Sequence, residues 1–127
     1  MTKQDKELLL MDLSARLPYG VKIELTWWVM GGGTSINITL ELDHIKQLLN
    51  DEDVSDYTEI RPYLRPMSSM TEEEKNEYFG RTMTIDIVQT SKEVIDWLNK
   101  KMFDYRGLIP MGLANEAPEG MYDIKEQ

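Results

Sequence analysis

Two neighbouring segments of the chain alternate between apolar and polar residues, and this alternation constrains the fold more than any other feature. Residues 21–30 read VKIELTWWVM and residues 35–42 read SINITLEL, with GGGT between them. A period of two places successive side chains on opposite faces of a β-strand, and a glycine-rich link between two such strands is typical of a hairpin. The sequence therefore predicts an antiparallel β-hairpin. Its inward residues would be Val21, Ile23, Leu25, Trp27 and Val29 on one strand and Ile36, Ile38, Leu40 and Leu42 on the other.

The outward face of this hairpin changes character at the tip. Trp28 and Met30 follow Lys22, Glu24 and Thr26 on the same face. Large apolar side chains at the end of a polar face indicate that something covers them. We expect Trp28 and Met30 to contact a partner, which could be a second copy of the chain.

The amino-terminal segment, residues 2–18, predicts an amphipathic helix with Thr2 as its N-cap and Pro18 just beyond its end. Its apolar residues form two stripes, and polar positions that include Asp12 and Arg16 separate them. The stripes are Leu9, Leu10, Leu13 and Leu17, and Leu8, Met11 and Ala15. The first stripe would face the core. The second is either part of a broad buried face or a surface that needs a cover, supplied by the tail of this chain or by another subunit in a homo-oligomer.

The rest of the chain completes an α+β pattern. The predicted elements are a short helix after Asp43, a strand at 57–60 closed by Pro62, a helix at 71–79 ended by Gly80, a strand at 82–88 and a helix at 90–103. Two helix starts carry capping boxes, Thr71 with Glu74 and Thr90 with Glu93. We therefore predict one domain over residues 1–117, in which an antiparallel sheet of about four strands is packed by two to three helices. Residues 118–127 would form a loose tail.

The composition bounds the class of protein. With 127 residues, 41% hydrophobic and 29% charged, the chain is typical of one soluble globular domain. The absence of cysteine removes disulfides, thiolate metal sites and cysteine nucleophiles, and it fits a reducing compartment. Because no apolar run approaches the ~20 residues of a membrane helix, and no signal sequence precedes the first helix, we expect a cytoplasmic protein without a membrane partner.

The motifs that would indicate a cofactor or metal are incomplete. The GGGT segment lies between two strands and lacks the lysine of a phosphate-binding loop. The acidic segment from Asp51 has Asp56 and Pro62 where a calcium loop needs glycine and glutamate. His44 is the only histidine, and no serine lies in a nucleophile motif. We predict no catalytic residue, metal site or cofactor.

The negative charge is concentrated in the middle of the chain. The net charge is -9, and residues 51–80 alone carry nine acids against three bases, a balance of -6. Such a surface repels the nucleic-acid backbone and attracts basic partners. We therefore expect a protein partner rather than nucleic acid.

Two clusters contain arginine and tyrosine in segments that could make contacts. Arg61, Tyr63 and Arg65 alternate in an extended, proline-rich stretch, and Asp104, Tyr105 and Arg106 precede Gly107. Alternating side chains of this kind can hold a carboxylate, a phosphate or an acidic protein surface. They can equally serve as internal counter-charges and loop hydrogen bonds. Both interpretations stay open at this point.

The segments RPYLRPMSSMTEEE and IDWLNKKMFDYRGLIPMGLANEAPEGMY resemble a group of small proteins found in prophages and mobile elements of gut bacteria. The resemblance covers residues 61–74 and 95–122, about a third of the chain. It implies a phage-type context, and it brings no assigned activity.

The first functional hypothesis is a non-enzymatic, phage-type interaction module that binds a protein through its acidic surface, in one form as a charge mimic of nucleic acid. The residues assigned to this contact are Trp28, Met30, Arg61, Tyr63, Arg65, Glu72, Glu73, Glu77, Asp104, Tyr105 and Arg106. One alternative is a small nucleic-acid-binding protein that uses Arg61, Arg65 and Arg106 with nearby tyrosines. Another is a hydrolase in which carboxylates hold a hard metal ion such as magnesium.

Overall fold

The structure, a computed structural model, describes residues 2–29, 32–49, 58–82 and 87–122. Its helices are α1 (Lys3–Arg16), α2 (Leu42–Leu49), α3 (Glu72–Thr82) and α4 (Ile87–Lys100). Its strands are β1 (Lys22–Val29), β2 (Gly32–Thr39), β3 (Thr58–Leu64) and β4 (Asn115–Glu116). Short 3-10 turns follow α1 and precede α3. No helix in these ranges is both long and apolar enough to cross a membrane.

The four strands form one sheet in the order β2-β1-β3-β4. Strands β1 and β2 pair antiparallel without interruption from Lys22↔Thr39 to Val29↔Gly32, and β3 pairs antiparallel with β1 on its other side. The predicted α+β fold with a largely antiparallel sheet is confirmed. Because the pairing reaches Gly32, two of the three glycines belong to β2, and the link is residues 30–31. Those two residues and the Trp28 side chain lie outside the described parts.

The fourth strand is not the one predicted. The sequence predicted a strand at residues 82–88. The fourth strand of the structure is β4, whose two residues run parallel to Tyr63 and Leu64. Helix α3 continues through Gly80 to Thr82, and α4 begins at Ile87, so the predicted N-cap Thr90 lies inside α4. A short alternating apolar run is ambiguous, because Ile87 also lies two helical turns before Val94 and so fits a helix period. Residues 83–86 lie outside the described ranges.

Proline 62 lies within β3 rather than ending it. It is opposite Ile23 of β1, and its side chain is almost fully buried. Strand β4 covers only Tyr63 and Leu64, so the outer side of β3 has no ladder partner at Pro62 among the described residues. A proline is tolerated in a strand at such a position because it lacks an N–H donor.

Among the described residues of the hairpin, the buried side chains lie at its proximal end. Val21, Ile23 and Leu40 are buried against Leu9 and Leu13 of α1. Further along, Leu25 and Trp27 are half-buried, and Ile36 is 43% exposed. The alternation therefore predicted correctly which of these side chains share the core-side face of the hairpin. It was wrong for Leu42, which begins α2 and is 55% exposed. The described helices cover only the end of the sheet near Val21. The distal hairpin projects beyond them.

Tyrosine 122 holds the carboxy-terminal segment against the sheet. Its hydroxyl accepts a hydrogen bond from Lys22 N–H at 2.9 Å and donates one to the Tyr63 carbonyl at 2.7 Å. Lys22 and Tyr63 are the next pair after Ile23↔Pro62, so the hydroxyl bridges β1 and β3 where their direct pairing ends. The expectation of a loose tail from residue 118 is therefore wrong for residues 118–122. Residues 123–127 lie outside the described ranges, and the single-domain boundary stays a prediction.

This bridge makes a testable contribution to stability. Burial raises the pKa of Tyr122 to about 12, although the Lys22 N–H bond acts in the opposite direction. Because the folded pKa exceeds the ordinary value of 10, the contribution is complete below pH 10 and disappears as pH rises through 12. We expect Tyr122→Phe to lower the free energy of unfolding by about 1–3 kcal/mol at pH 8, by leaving two backbone groups unbridged. The measurement is urea unfolding at pH 8 and at pH 12.

The difference between wild type and Tyr122→Phe should shrink at the higher pH, because only the wild type carries the buried phenol. Tyr19→Phe is the matched control, since Tyr19 is exposed. It should change the free energy of unfolding by less than about 0.5 kcal/mol at either pH. A difference between wild type and Tyr122→Phe that stays constant from pH 8 to pH 12 would contradict the assignment.

Candidate functional site

The two arginine-containing segments singled out by the sequence meet in the fold. Arg65 pairs with Phe103 in an isolated parallel bridge. The Arg65 N–H donates to the Met102 carbonyl at 2.7 Å, and the Asp104 N–H donates to the Arg65 carbonyl at 2.9 Å. Sequence separation alone gave no sign of this junction. It lies at the carboxy-terminal end of α4, and we refer to residues 101–106 as the α4 exit.

The α4 exit has the geometry of a Schellman cap. Phe103 N–H donates to the Leu98 carbonyl at 2.9 Å and Met102 N–H donates to the Asn99 carbonyl at 3.1 Å. Met102 takes the left-handed position with φ of 66°, where glycine is usual. Its side chain is buried in the core, so apolar packing holds a methionine in a conformation that costs about 1 kcal/mol.

Arg65 is an internal counter-charge. Its Nη1 and Nη2 donate to the two carboxylate oxygens of Glu74 at 2.8 and 2.6 Å, and Nη1 also reaches the Lys101 carbonyl at 3.3 Å. The guanidinium lies 4.2 Å from the centre of the Phe103 ring. Both charged side chains are buried. The structure therefore favours the internal interpretation of Arg65.

Glu74 combines this ion pair with the predicted capping box. Its carboxylate accepts from Thr71 N–H at 2.9 Å, while Glu74 N–H donates to Thr71 Oγ1 at 3.1 Å. Burial pushes the pKa of Glu74 upward, but the hydrogen bonds from Arg65 and Thr71 and the charges of Arg65 and Lys101 outweigh it, so the pKa lies below 4.5. The capping box was predictable from the sequence, but the ion pair with Arg65 was not.

A second buried ion network joins α1 to the α4 exit. Asp12 accepts from Arg16 Nε at 2.9 Å and from Arg106 Nη1 at 2.7 Å. Arg16 also donates to the Phe103 carbonyl at 2.6 Å, and its Nη1 reaches the Leu98 carbonyl at 3.5 Å. Asp12 and Arg16 are fully buried. The sequence had placed both on the polar side of α1, and the only local signal was their i, i+4 spacing.

The other predicted contacts at the α4 exit are also internal. Asp104 is buried, and its carboxylate accepts from the N–H groups of Leu108 and Ile109 at 2.8 and 2.9 Å. Tyr105 donates to Asn99 Oδ1 at 2.9 Å, and its ring centre lies 5.3 Å from the Arg16 guanidinium and 4.6 Å from that of Arg106. Asp104, Tyr105 and Arg106 therefore lock the turn after α4, which is the loop-network interpretation.

Arg61 and Tyr63 lie elsewhere, on the sheet face opposite the core. Tyr63 donates to Asn37 Oδ1 at 2.8 Å across β1. Arg61 is opposite Glu24 in the ladder, and its side chain is 43% exposed beside Glu59 at 3.6 Å. An exposed pair at this distance adds little stability, so Arg61 keeps a guanidinium accessible to solvent.

A shallow cleft of about 370 Å³ lies between the turn before α3 and the carboxy-terminal segment. Its lining includes Arg65, Thr71, Glu116, Glu119 and Tyr122. The Arg65 guanidinium is already neutralised by Glu74, and Glu116 and Glu119 add negative charge. The cleft therefore offers a poor site for an anionic ligand.

His44 has a structural hydrogen bond. It is buried in the first turn of α2, and its Nδ1 accepts from Glu41 N–H at 2.9 Å. The histidine side chain thus satisfies one of the free donors at the start of the helix, a role often filled by Glu or Gln. In the ranges that the structure describes, no three His, Cys, Asp or Glu side chains come together in a way that could hold a metal ion.

The acidic residues of α3 other than Glu74 lie at the surface. Glu72, Glu73 and Glu77 are exposed, and the Glu72 side chain is 87% accessible. Lys75 is 3.5 Å from Glu72, and both side chains are largely in solvent. Among the described residues, the predicted contact set thus divides into three groups: Arg65 with the internal residues of the α4 exit, Arg61 and Tyr63 on the outer sheet face, and the exposed carboxylates of α3. The chain matches no known family model, no curated protein and no solved structure.

Proposed function

We propose that the chain is a non-enzymatic interaction module that binds a basic protein partner through the exposed acidic face of α3. This face consists of Glu72, Glu73 and Glu77, and the tip of the β1–β2 hairpin is a second contact. The phage-type context follows from the sequence resemblance alone. In its most specific form, the module presents carboxylates in place of nucleic-acid phosphates to a host nucleic-acid-binding protein.

One observation carries this proposal, namely the exposure of three carboxylates on a single helix. Arg16, Arg65 and Arg106 are paired with buried carboxylates inside the fold, so these charges largely cancel one another. Glu72, Glu73 and Glu77 remain at the surface of α3, where Lys75 lies among them. The described side chains on the exposed side of α3 therefore carry a local excess of negative charge. Such a field raises the association rate with basic partners.

The nucleic-acid alternative loses support because two of its arginines are paired inside the fold. It relied on three arginines, of which Arg65 and Arg106 are bound to the carboxylates of Glu74 and Asp12. Arg61 keeps its accessibility but lies beside Glu59. A single exposed guanidinium next to a carboxylate is a weak basis for contacts to a phosphate backbone.

The test compares two triple variants with the same change in net charge. One is Glu72→Gln, Glu73→Gln and Glu77→Gln on α3, and the other is Asp43→Asn, Asp96→Asn and Glu119→Gln at exposed positions elsewhere. Each full-length chain is immobilised, and host lysate is passed over it at low salt. We expect one or more basic proteins to be retained by the wild type and by the control. Retention on the α3 variant should fall at least about tenfold.

The charge-mimic form makes a further demand on the retained protein. It should bind DNA or RNA, and the free wild-type chain should displace it from that nucleic acid while the α3 variant does not. An equal loss of binding in both triple variants would show that binding depends only on the net charge. That result would contradict a defined binding surface on α3. Retention of no protein by the wild type would refute the proposal.

A further inference from the structure

We infer that β2 is a dimerisation edge, at which two copies of the chain pair antiparallel and join their sheets into one. Within the described part of the chain, β2 is the outermost strand on its side of the sheet. All its residues except Ile38 are exposed. This inference does not depend on the acidic partner, because α3 takes no part in it.

Within the described residues, the free edge of β2 has none of the usual protections. Free strand edges in soluble proteins are blocked by charged residues, prolines, bulges or a covering element. Strand β2 reads GGTSINIT, which contains no charge and no proline, and its eight-residue register with β1 has no bulge. Among the described parts of the chain, a strand of this length at the edge of a sheet presents a row of backbone donors and acceptors without ladder partners.

The hydrogen-bond ladder between β1 and β2 shows which backbone groups of β2 point to the free edge. Leu40 N–H donates to the Val21 carbonyl at 2.9 Å, at the end of the β1–β2 ladder. Since hydrogen-bonded pairs alternate along an antiparallel ladder, the even-numbered residues of β2 bond to β1. The backbone groups of Gly33, Ser35, Asn37 and Thr39 therefore point to the free edge.

Along β2, residues that bond to β1 alternate with residues whose backbone groups point to the free edge. This alternation restricts how a second copy can pair. A twofold axis at Ile36 places Ser35 opposite Asn37 and Gly33 opposite Thr39 of the other copy. Residues whose backbone groups point to the free edge therefore pair with one another. The same axis places Ile36 opposite itself on the core-side face, where it is 43% exposed. A shift of the register by one residue would put core-side positions opposite solvent-side positions. The closed, isologous arrangement is the common one for homodimers.

Charge also favours a second copy at this strand. The chain has a net charge of -9, so most faces of one molecule repel another. Between Glu24 and Glu41 no residue is charged, and β2 lies inside this interval. Pairing at β2 therefore brings no like charges into contact, and added salt should strengthen it by screening the remaining repulsion. Binding through the acidic face of α3 should respond to salt in the opposite direction.

The test uses Ser35→Pro with Ser35→Ala as its matched control. The proline removes an outward N–H without removing a bond to β1, and the alanine keeps that N–H. Light scattering and sedimentation velocity would be measured on the full chain from micromolar to millimolar concentration, at low and high salt. We expect a dimer for wild type and Ser35→Ala that strengthens with salt. Dimerisation of Ser35→Pro should weaken at least about tenfold, because the symmetry removes the bond twice.

A second variant probes the axis itself. Ile36→Lys places two lysines opposite each other and should also give a monomer, whereas Ile36→Thr should still dimerise. Circular dichroism would establish that each variant is folded. A wild type that stays monomeric at millimolar concentration would overturn the inference. A dimer that persists in both blocking variants would also overturn it, and it would point to another surface such as the Met11 side of α1. A monomeric wild type would leave a strand from another protein as the occupant of this edge.

Discussion

Replacing Asp12 with alanine should lower the free energy of unfolding by about 3–5 kcal/mol, because it leaves two arginines without their shared carboxylate. Asp12 and Arg16 are fully buried, and Arg106 is 16% exposed. Removing one member of a buried ion pair costs far more than the pair contributes, since the remaining charge stays desolvated. Urea unfolding monitored by circular dichroism measures the difference.

The matched control is Asp96→Ala, which changes an exposed aspartate inside α4. It should shift the free energy of unfolding by about 0.5 kcal/mol or less. Because alanine favours helix more than aspartate does, a loss in Asp12→Ala cannot come from helix propensity. A double variant with Arg106→Ala should lose less than the sum of the two single changes, since the two residues share one interaction. A cost below about 1 kcal/mol for Asp12→Ala would mean that the network is accessible to water.

The ion network around Asp12 also shows which contacts local sequence patterns do not predict. The hairpin and the caps at Thr2 and Thr71 were predictable because each depends on residues a few positions apart. Arg16 and Asp12 looked like solvent-facing separators between two apolar stripes. Their partners Leu98, Phe103 and Arg106 lie more than 80 residues further along the chain. A helical period gives the direction of a side chain, but it does not reveal what the rest of the fold places there.

Local sequence patterns also could not distinguish a contact residue from an internal counter-charge. The alternation of Arg61, Tyr63 and Arg65 in an extended segment would place all three side chains on one side. Arg61 and Tyr63 do share the outer face of the sheet, but this expectation is wrong for Arg65, which is buried. Arg65 follows the last residue of β3, where its bridge to Phe103 draws it inward. Whether such an arginine is a contact or a counter-charge depends on which segment arrives beside it. That information is carried by the tertiary fold.

Replacing Glu74 with glutamine should lower the free energy of unfolding by about 3 kcal/mol at pH 7, through loss of the charge that neutralises Arg65. Glutamine can still bond to Thr71 N–H, because Gln serves as well as Glu at this position of a capping box. The variant therefore separates the ion pair from the cap. Glu73→Gln is the control on the neighbouring residue, which is exposed, and it should change the free energy by less than about 0.5 kcal/mol.

The pH dependence distinguishes a buried ion pair from loss of packing at Glu74. The folded pKa of Glu74 lies below its ordinary value of 4.5, so its stabilising contribution is complete above that value and is lost as pH falls through the folded pKa. We expect the gap in unfolding free energy between wild type and Glu74→Gln to be largest near pH 7. The gap should narrow steadily below pH 4.5, since the wild-type carboxylate then becomes neutral as well. Acid titration of the other carboxylates affects both proteins equally and cancels in the difference. A gap that stays the same from pH 7 to pH 3 would show that the variant fails through shape, and that Arg65 does not depend on the charge of Glu74.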